Sequence, residues 1–147
     1  MKGIKRVVAS VIFIVFCFCN IAYPVDKKEE IRKYLEGINP ILTNVDTAYR
    51  DISSKALSLE AGVKKMQVFI SDLNSLIPPE FIRQQHKMIL LSFKKLKMGY
   101  YLLSGKDISL ARALVKRGGV LLKIAVGNIL DLGRKEGIIK DENKSNQ

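Results

Sequence analysis

The stretch Pro79–Leu132, PEFIRQQHKMILLSFKKLKMGYYLLSGKDISLARALVKRGGVLLKIAVGNILDL, decides how the rest of the chain is read. Its first half places apolar or large residues at Ile82, His86, Ile89, Phe93, Leu96, Tyr100 and Leu103, spaced alternately by four and three, which marks one seam of a helix. The second half repeats the pattern at Ile108, Ala111, Val115, Gly118, Leu122, Ala125, Ile129 and Leu132. Gly105-Lys106-Asp107 is a short connector between them, so the stretch reads as two long helices folded back on each other.

In antiparallel arms, residues lie level when their numbers have a constant sum, and these two seams mesh at a sum of 211. Tyr100 then faces Ala111, Phe93 faces Gly118 and His86 faces Ala125, with aliphatic layers in between. Large against small predicts helix axes toward the short end of the usual ~8–10 Å separation, without voids.

Working outward, a mixed-charge helix opens at Asp26 with the seam Ile31, Leu35, Ile38, Leu42, Val45, Tyr49 and Ile52. The seam stays in phase through Pro40, which predicts one kinked helix with Asn39 absorbing the distortion. Ser58 is placed to cap a second helix with the seam Leu59, Val63, Met66, Ile70, Leu73 and Ile77, and Pro78-Pro79 stops it. Pro79 also suits the first turn of the next helix, with Glu80 beside its positive end. Beyond the hairpin, Gly133 and Gly137 weaken the helix and residues 140–147 form a polar tail. Four seams of one period and no strand pattern predict an all-α fold, an antiparallel up-down four-helix bundle over residues 23–139.

Residues 1–22 stand apart. Lys2, Lys5 and Arg6 precede a 13-residue apolar run from Val7 to Cys19, the layout of an export signal and shorter than the ~20 residues of a membrane span. Cleavage after Ala22 or Cys19 predicts a periplasmic, envelope or extracellular protein; an uncleaved segment would instead anchor it to the membrane. Both cysteines lie here, so a chain cut at Ala22 has no disulfide framework, no thiol nucleophile and no cysteine metal site.

Charge is distributed unevenly. Residues 23–80 hold 8 Lys and Arg against 9 Asp and Glu, whereas residues 81–147 hold 14 against 5, a net +9. Heptad positions put Arg83, Lys87, Lys94 and Lys97 on one flank of the first arm and Arg112, Lys116 and Lys123 on the same flank of the second. The expectation is one stripe with Lys97 near Arg112, Lys94 near Lys116 and Lys87 near Lys123. It would dock on something anionic, such as lipid headgroups, envelope polymers or an acidic protein. The bland alternative is a solvated face, or neutralisation by Asp46, Asp51 and Asp72. The opposite flank, with Phe81, Met88, Leu110, Leu114, Leu121 and Ile124, is expected to meet the first two helices; if the bundle is open it becomes a groove for a partner or a second copy.

Chemistry is sparse. His86 is the only histidine, no Glu-x-x-His or Cys-x-x-Cys-His occurs, and Ser92, Ser104 and Ser109 lack a motif that would assemble a triad. His86 therefore reads as a partly buried packing residue. Gly118-Gly119 sits mid-helix with no strand before it, so it is not a phosphate loop. Gly118 has a packing role opposite Phe93, whereas Gly119 lies on the basic flank, either as a notch for a ligand or for close helix approach. The expectation is a protein without catalytic activity, metal or cofactor, with no nucleic-acid partner, and either docking on an anionic component or assembling with other copies or proteins.

Overall fold

The computed structural model describes residues 26–105 and 107–139; residues 1–25, Lys106 and residues 140–147 lie outside them, and with them the expected signal segment 1–22 and the expected polar tail. The described residues form four helices and no strand: α1 (Lys27–Ser53), α2 (Leu59–Ser75), α3 (Arg83–Leu103) and α4 (Ile108–Lys135), with a short 3-10 turn at Glu80–Ile82. None of these helices is long and apolar enough to cross a membrane.

Local chemistry sets the boundaries. Asp26 caps α1 by accepting the Lys28 N–H at 3.0 Å, and Ser58 caps α2 by accepting the Ala61 N–H at 3.2 Å, each satisfying an amide that has no partner inside its helix. Asp107 does the same for α4 through the Leu110 N–H at 3.0 Å. Helix α1 runs unbroken across Pro40, with Ile38 and Ile41 buried on either side of it. At the far end Gly137 takes φ +67°, a left-handed stop that glycine adopts without a Cβ clash, and the amides of Ile138 and Ile139 turn back onto Gly133 O.

Ile77, assigned from the sequence to the α2 seam, is outside the helix and 93% exposed. The chain leaves α2 at Leu76 in an extended conformation, because residues ahead of Pro78-Pro79 are driven out of the helical region.

Contacts give the directions of the helices. Ile52 near the end of α1 covers Gly62 near the start of α2, while Leu76 covers Gly37, so α2 runs back along α1. The Tyr100 ring reaches the same Gly62, and Lys97 Nζ donates to Gln67 Oε1, so α3 runs back along α2. The last turn of α4 returns to the start of α1, where Lys27 pairs with Glu136 at 2.6 Å and Leu35 lies over Gly133.

Two faces differ from the sequence expectation by about one residue of rotation. On α1 the buried series is Ile31, Tyr34, Ile38, Ile41, Val45 and Ala48, so Ile31, Ile38 and Val45 hold their places, Tyr34, Ile41 and Ala48 join them, Leu35, Leu42 and Ile52 pack at the core edge, and Tyr49 is half exposed. Both series are apolar at helical spacing, and the turn that places Tyr34 against His86 selects the first.

On α3 the residues against α4 are Ser92, Leu96 and Gly99. A Cβ on Gly99 would lie 2.6 Å from Val115 Cγ2 and 3.1 Å from Ala111 O, and one on Gly118 would lie 3.0 Å from Leu96 Cγ and 3.1 Å from Ser92 O. Buried Ser92 donates its hydroxyl to Gly118 O at 2.8 Å. The large-against-small rungs are thus corrected: Leu96 and the Ser92 carbonyl, not Phe93, fill the space over Gly118, and Val115 with the Ala111 carbonyl fills that over Gly99, near the expected register. The bulky residues turn inward instead, His86 to Tyr34 and Tyr100 to Gly62, with Phe93 fully buried in the core. Backbones approach most closely where neither side carries bulk, which leaves the aromatics to fill the centre.

Candidate functional site

The rotation of α3 also divides the seven basic residues. Lys94 and Lys97 line a crevice with Val63, Gln67, Ile70, Met98 and Tyr101, between α2 and α3. Lys116 and Lys123 line a different groove, between α1 and α4. Arg112 is one turn before Lys116 and Lys87 is two turns before Lys94, both exposed, while Arg83 pairs with Glu80 at 3.2 Å. The level pairs expected of one stripe do not form, because the basic flank of α3 points past α2 rather than alongside that of α4.

The opposite flank is corrected as well. Leu110, Leu114, Leu121 and Ile124 do not join the core; α4 gives it Ala125 and Ile129, with Val115, Leu122, Val126 and Leu132 packed against them. Leu91, Leu110 and Ile124 are 47%, 49% and 48% exposed, and Lys95 and Arg117 lie on the same outer surface. Phe81 is exposed with Lys27 Nζ 5.5 Å from its ring centroid, whereas Met88 does reach the core edge.

The α1/α4 groove is an open, mostly apolar concavity of about 580 Å³. Leu42, Val45 and Tyr49 of α1 form one wall, Leu96 and Tyr100 of α3 the floor, and Val115, Gly119, Val120, Leu122 and Val126 of α4 the other wall. A Cβ on Gly119 would meet nothing within 4 Å, so this glycine does not serve close helix approach; it widens the groove. Lys116 and Lys123 stand seven residues apart along the α4 rim, about 10 Å by helical rise. Neither has an ion-pair partner among the described residues, and the carboxylate on the rim, Asp46, is already held by Arg50 at 2.6 Å.

One polar group at the floor is left over. Tyr100 is 2% exposed, and its hydroxyl oxygen is buried with no hydrogen-bond partner in the described structure. Burial, reinforced by nearby Tyr49, pushes its phenol up to about 12. A hydroxyl in this state costs ~1–3 kcal/mol relative to one that is bonded.

His86 lies elsewhere. Its Nδ1 is 3.0 Å from Tyr34 Oη in the core, with the rings edge to face at 5.9 Å, and burial lowers its pKa below the ordinary 6.5. The sequence placed His86 in packing but missed Tyr34 as its partner, since Leu35 competes for the same seam. No group of three or more His, Cys, Asp or Glu among the described residues is arranged to hold a metal ion. Apolar walls, two phenols and an unpaired basic rim equip the groove to hold a molecule that is apolar along its length and anionic at one end. Comparison with protein-family models, curated proteins and solved structures gives no match.

Proposed function

We propose that the chain is an exported, non-catalytic helical protein, an antiparallel up-down four-helix bundle, that docks on an anionic lipid surface of the cell envelope through its α3–α4 hairpin. The observation that carries this reading is the exposed surface of the hairpin, where each edge sets cations beside apolar side chains. Lys87 and Lys94 stand with Leu91 and Met98 on the α2 side of α3, and Arg112, Lys116 and Lys123 with Val120 on the α1 side of α4, the cations without ion-pair partners among the described residues, while Leu110 and Ile124 are exposed on the outer face of α4. Cations draw the hairpin to anionic headgroups, and aliphatic side chains enter the acyl boundary. Interleaved apolar side chains favour a lipid surface over a polar polymer. The signal layout of residues 1–22 supports export, and an uncleaved segment would hold the bundle at the same surface.

The test is cosedimentation with phosphatidylglycerol and phosphatidylcholine vesicles. Binding is expected only to the former, and it weakens as salt rises. Reversing Lys87, Lys94 and Lys116 to Glu removes at least ~1 kcal/mol per lysine, so affinity falls roughly a hundredfold or more. Equal binding to both vesicles, or indifference to the triple reversal, ends the docking idea. A second reading, assembly of copies through the flank of Leu91, Leu110 and Ile124, is favoured by their shared exposure. It predicts concentration-dependent mass in light scattering that Leu91→Glu with Ile124→Glu abolishes.

A further inference from the structure

We infer that the α1/α4 groove binds a single-chain amphipathic anion, with its acyl chain lying between Val45 and Leu122 and its carboxylate or phosphate at Lys116 and Lys123. This goes beyond docking on a surface and shares with it only those two lysines and Val120. Three observations converge. The volume of about 580 Å³ falls within the ~300–1,000 Å³ of small-molecule sites, and the walls are aliphatic and aromatic. Both rim lysines are uncommitted among the described residues, while the acid opposite is occupied by Arg50. Gly119 costs ~1 kcal/mol relative to Ala in mid-helix, and no neighbour requires its small size; what its missing side chain provides is width in the groove.

The length suits a chain laid along the groove. From Val115 to Val126 the α4 wall spans about 16 Å of helix, with Leu96 and Tyr100 beneath it as the floor. A neutral chain would bury as well against the walls but leave the two cations unanswered, so the anionic end decides the preference.

The experiment titrates the purified full-length chain with dodecanoate, dodecyl phosphate and dodecanol, each below micelle formation. Tyrosine emission serves as the readout because the chain has five Tyr and no Trp. Saturable binding of at least one anion is expected, with the preferred head distinguishing a free fatty acid from a phospholipid-derived ligand. Gly119→Leu fills the groove and lowers anion affinity tenfold or more, without lowering the thermal midpoint. Lys116→Gln with Lys123→Gln weakens the anions about tenfold and leaves dodecanol unchanged. The assignment is overturned if neither anion binds, if dodecanol binds as tightly as both, or if Gly119→Leu binds like the parent. Gly119→Leu is expected to cosediment with phosphatidylglycerol vesicles as the parent does, so loss of groove binding with docking intact removes this inference alone. Loss of docking with groove binding intact removes only the surface reading.

Discussion

Gly118 and Gly119 are neighbours on α4 with unlike surroundings. A side chain at Gly118 would run into Leu96 and the Ser92 carbonyl, whereas one at Gly119 would meet nothing within 4 Å. The first belongs to an interface in which Gly99, Ala111, Ser92 and Gly118 let two backbones approach and a buried hydroxyl crosses between them. The second belongs to a groove in which α1 stands away from α4 and touches it mainly near one end, through Lys27 with Glu136 and Leu35 over Gly133. One helix is therefore locked on one side and spare on the other. The locked side carries the stability of the hairpin, and the spare side exposes apolar walls under a basic rim.

The largest effect should come from filling the locked side. Gly99→Val places branched carbons into Val115 Cγ2 and against backbone atoms of Ala111 and Val115, which cannot swing away as a side-chain tip can. Overpacking of this kind costs about 3 kcal/mol, to be measured by urea unfolding. If Gly99→Val were tolerated as well as the same change at Gly119, the distinction between the two sides would fail.

A smaller effect tests how α1 is held to the hairpin. Tyr34→Phe strands the buried His86 Nδ1 and should cost about 1–2 kcal/mol. The same pair makes stability depend on pH. Burial lowers the folded pKa of His86 below 6.5, so between the two values the unfolded chain binds a proton that the folded chain does not. Stability is then complete above about 6.5 and is lost as pH falls toward and through the folded pKa. Thermal midpoints at pH 7 and 5 should differ in that direction, and His86→Phe should flatten the difference. A midpoint that rises on acidification, in the parent alone, would contradict the buried neutral imidazole.

Much of the fold was legible because its signals are local. Ser58 and Pro78-Pro79 bound α2 by capping and by lost amide donors, and the hairpin register follows from heptads on either side of a short connector. Rotation about each helix axis is not local. On α1, Tyr34 and Leu35 both continue an apolar series, and only contact with His86 chooses between them. On α3, Ser92 and Gly99 form a small-residue row beside the bulky row His86, Phe93 and Tyr100, and close backbone approach chooses the small one. That choice moved the basic flank of α3 toward α2, dissolved the single stripe and exposed the apolar flank of α4. The candidate groove was visible in the sequence only as Gly119, a glycine without a packing task.

The mildest change returns to that glycine. Gly119→Ala adds a methyl where nothing opposes it and removes backbone freedom from the unfolded chain, so stability should rise by about 0.5–1 kcal/mol. The thermal midpoint measures it, and the sign carries the argument. A gain means that the helix would fold better with almost any residue there, so the position is explained by the open space beside it. A loss would mean that α1 closes on α4 tightly enough to need a bare backbone, and the groove would then be an interface like the one at Gly118.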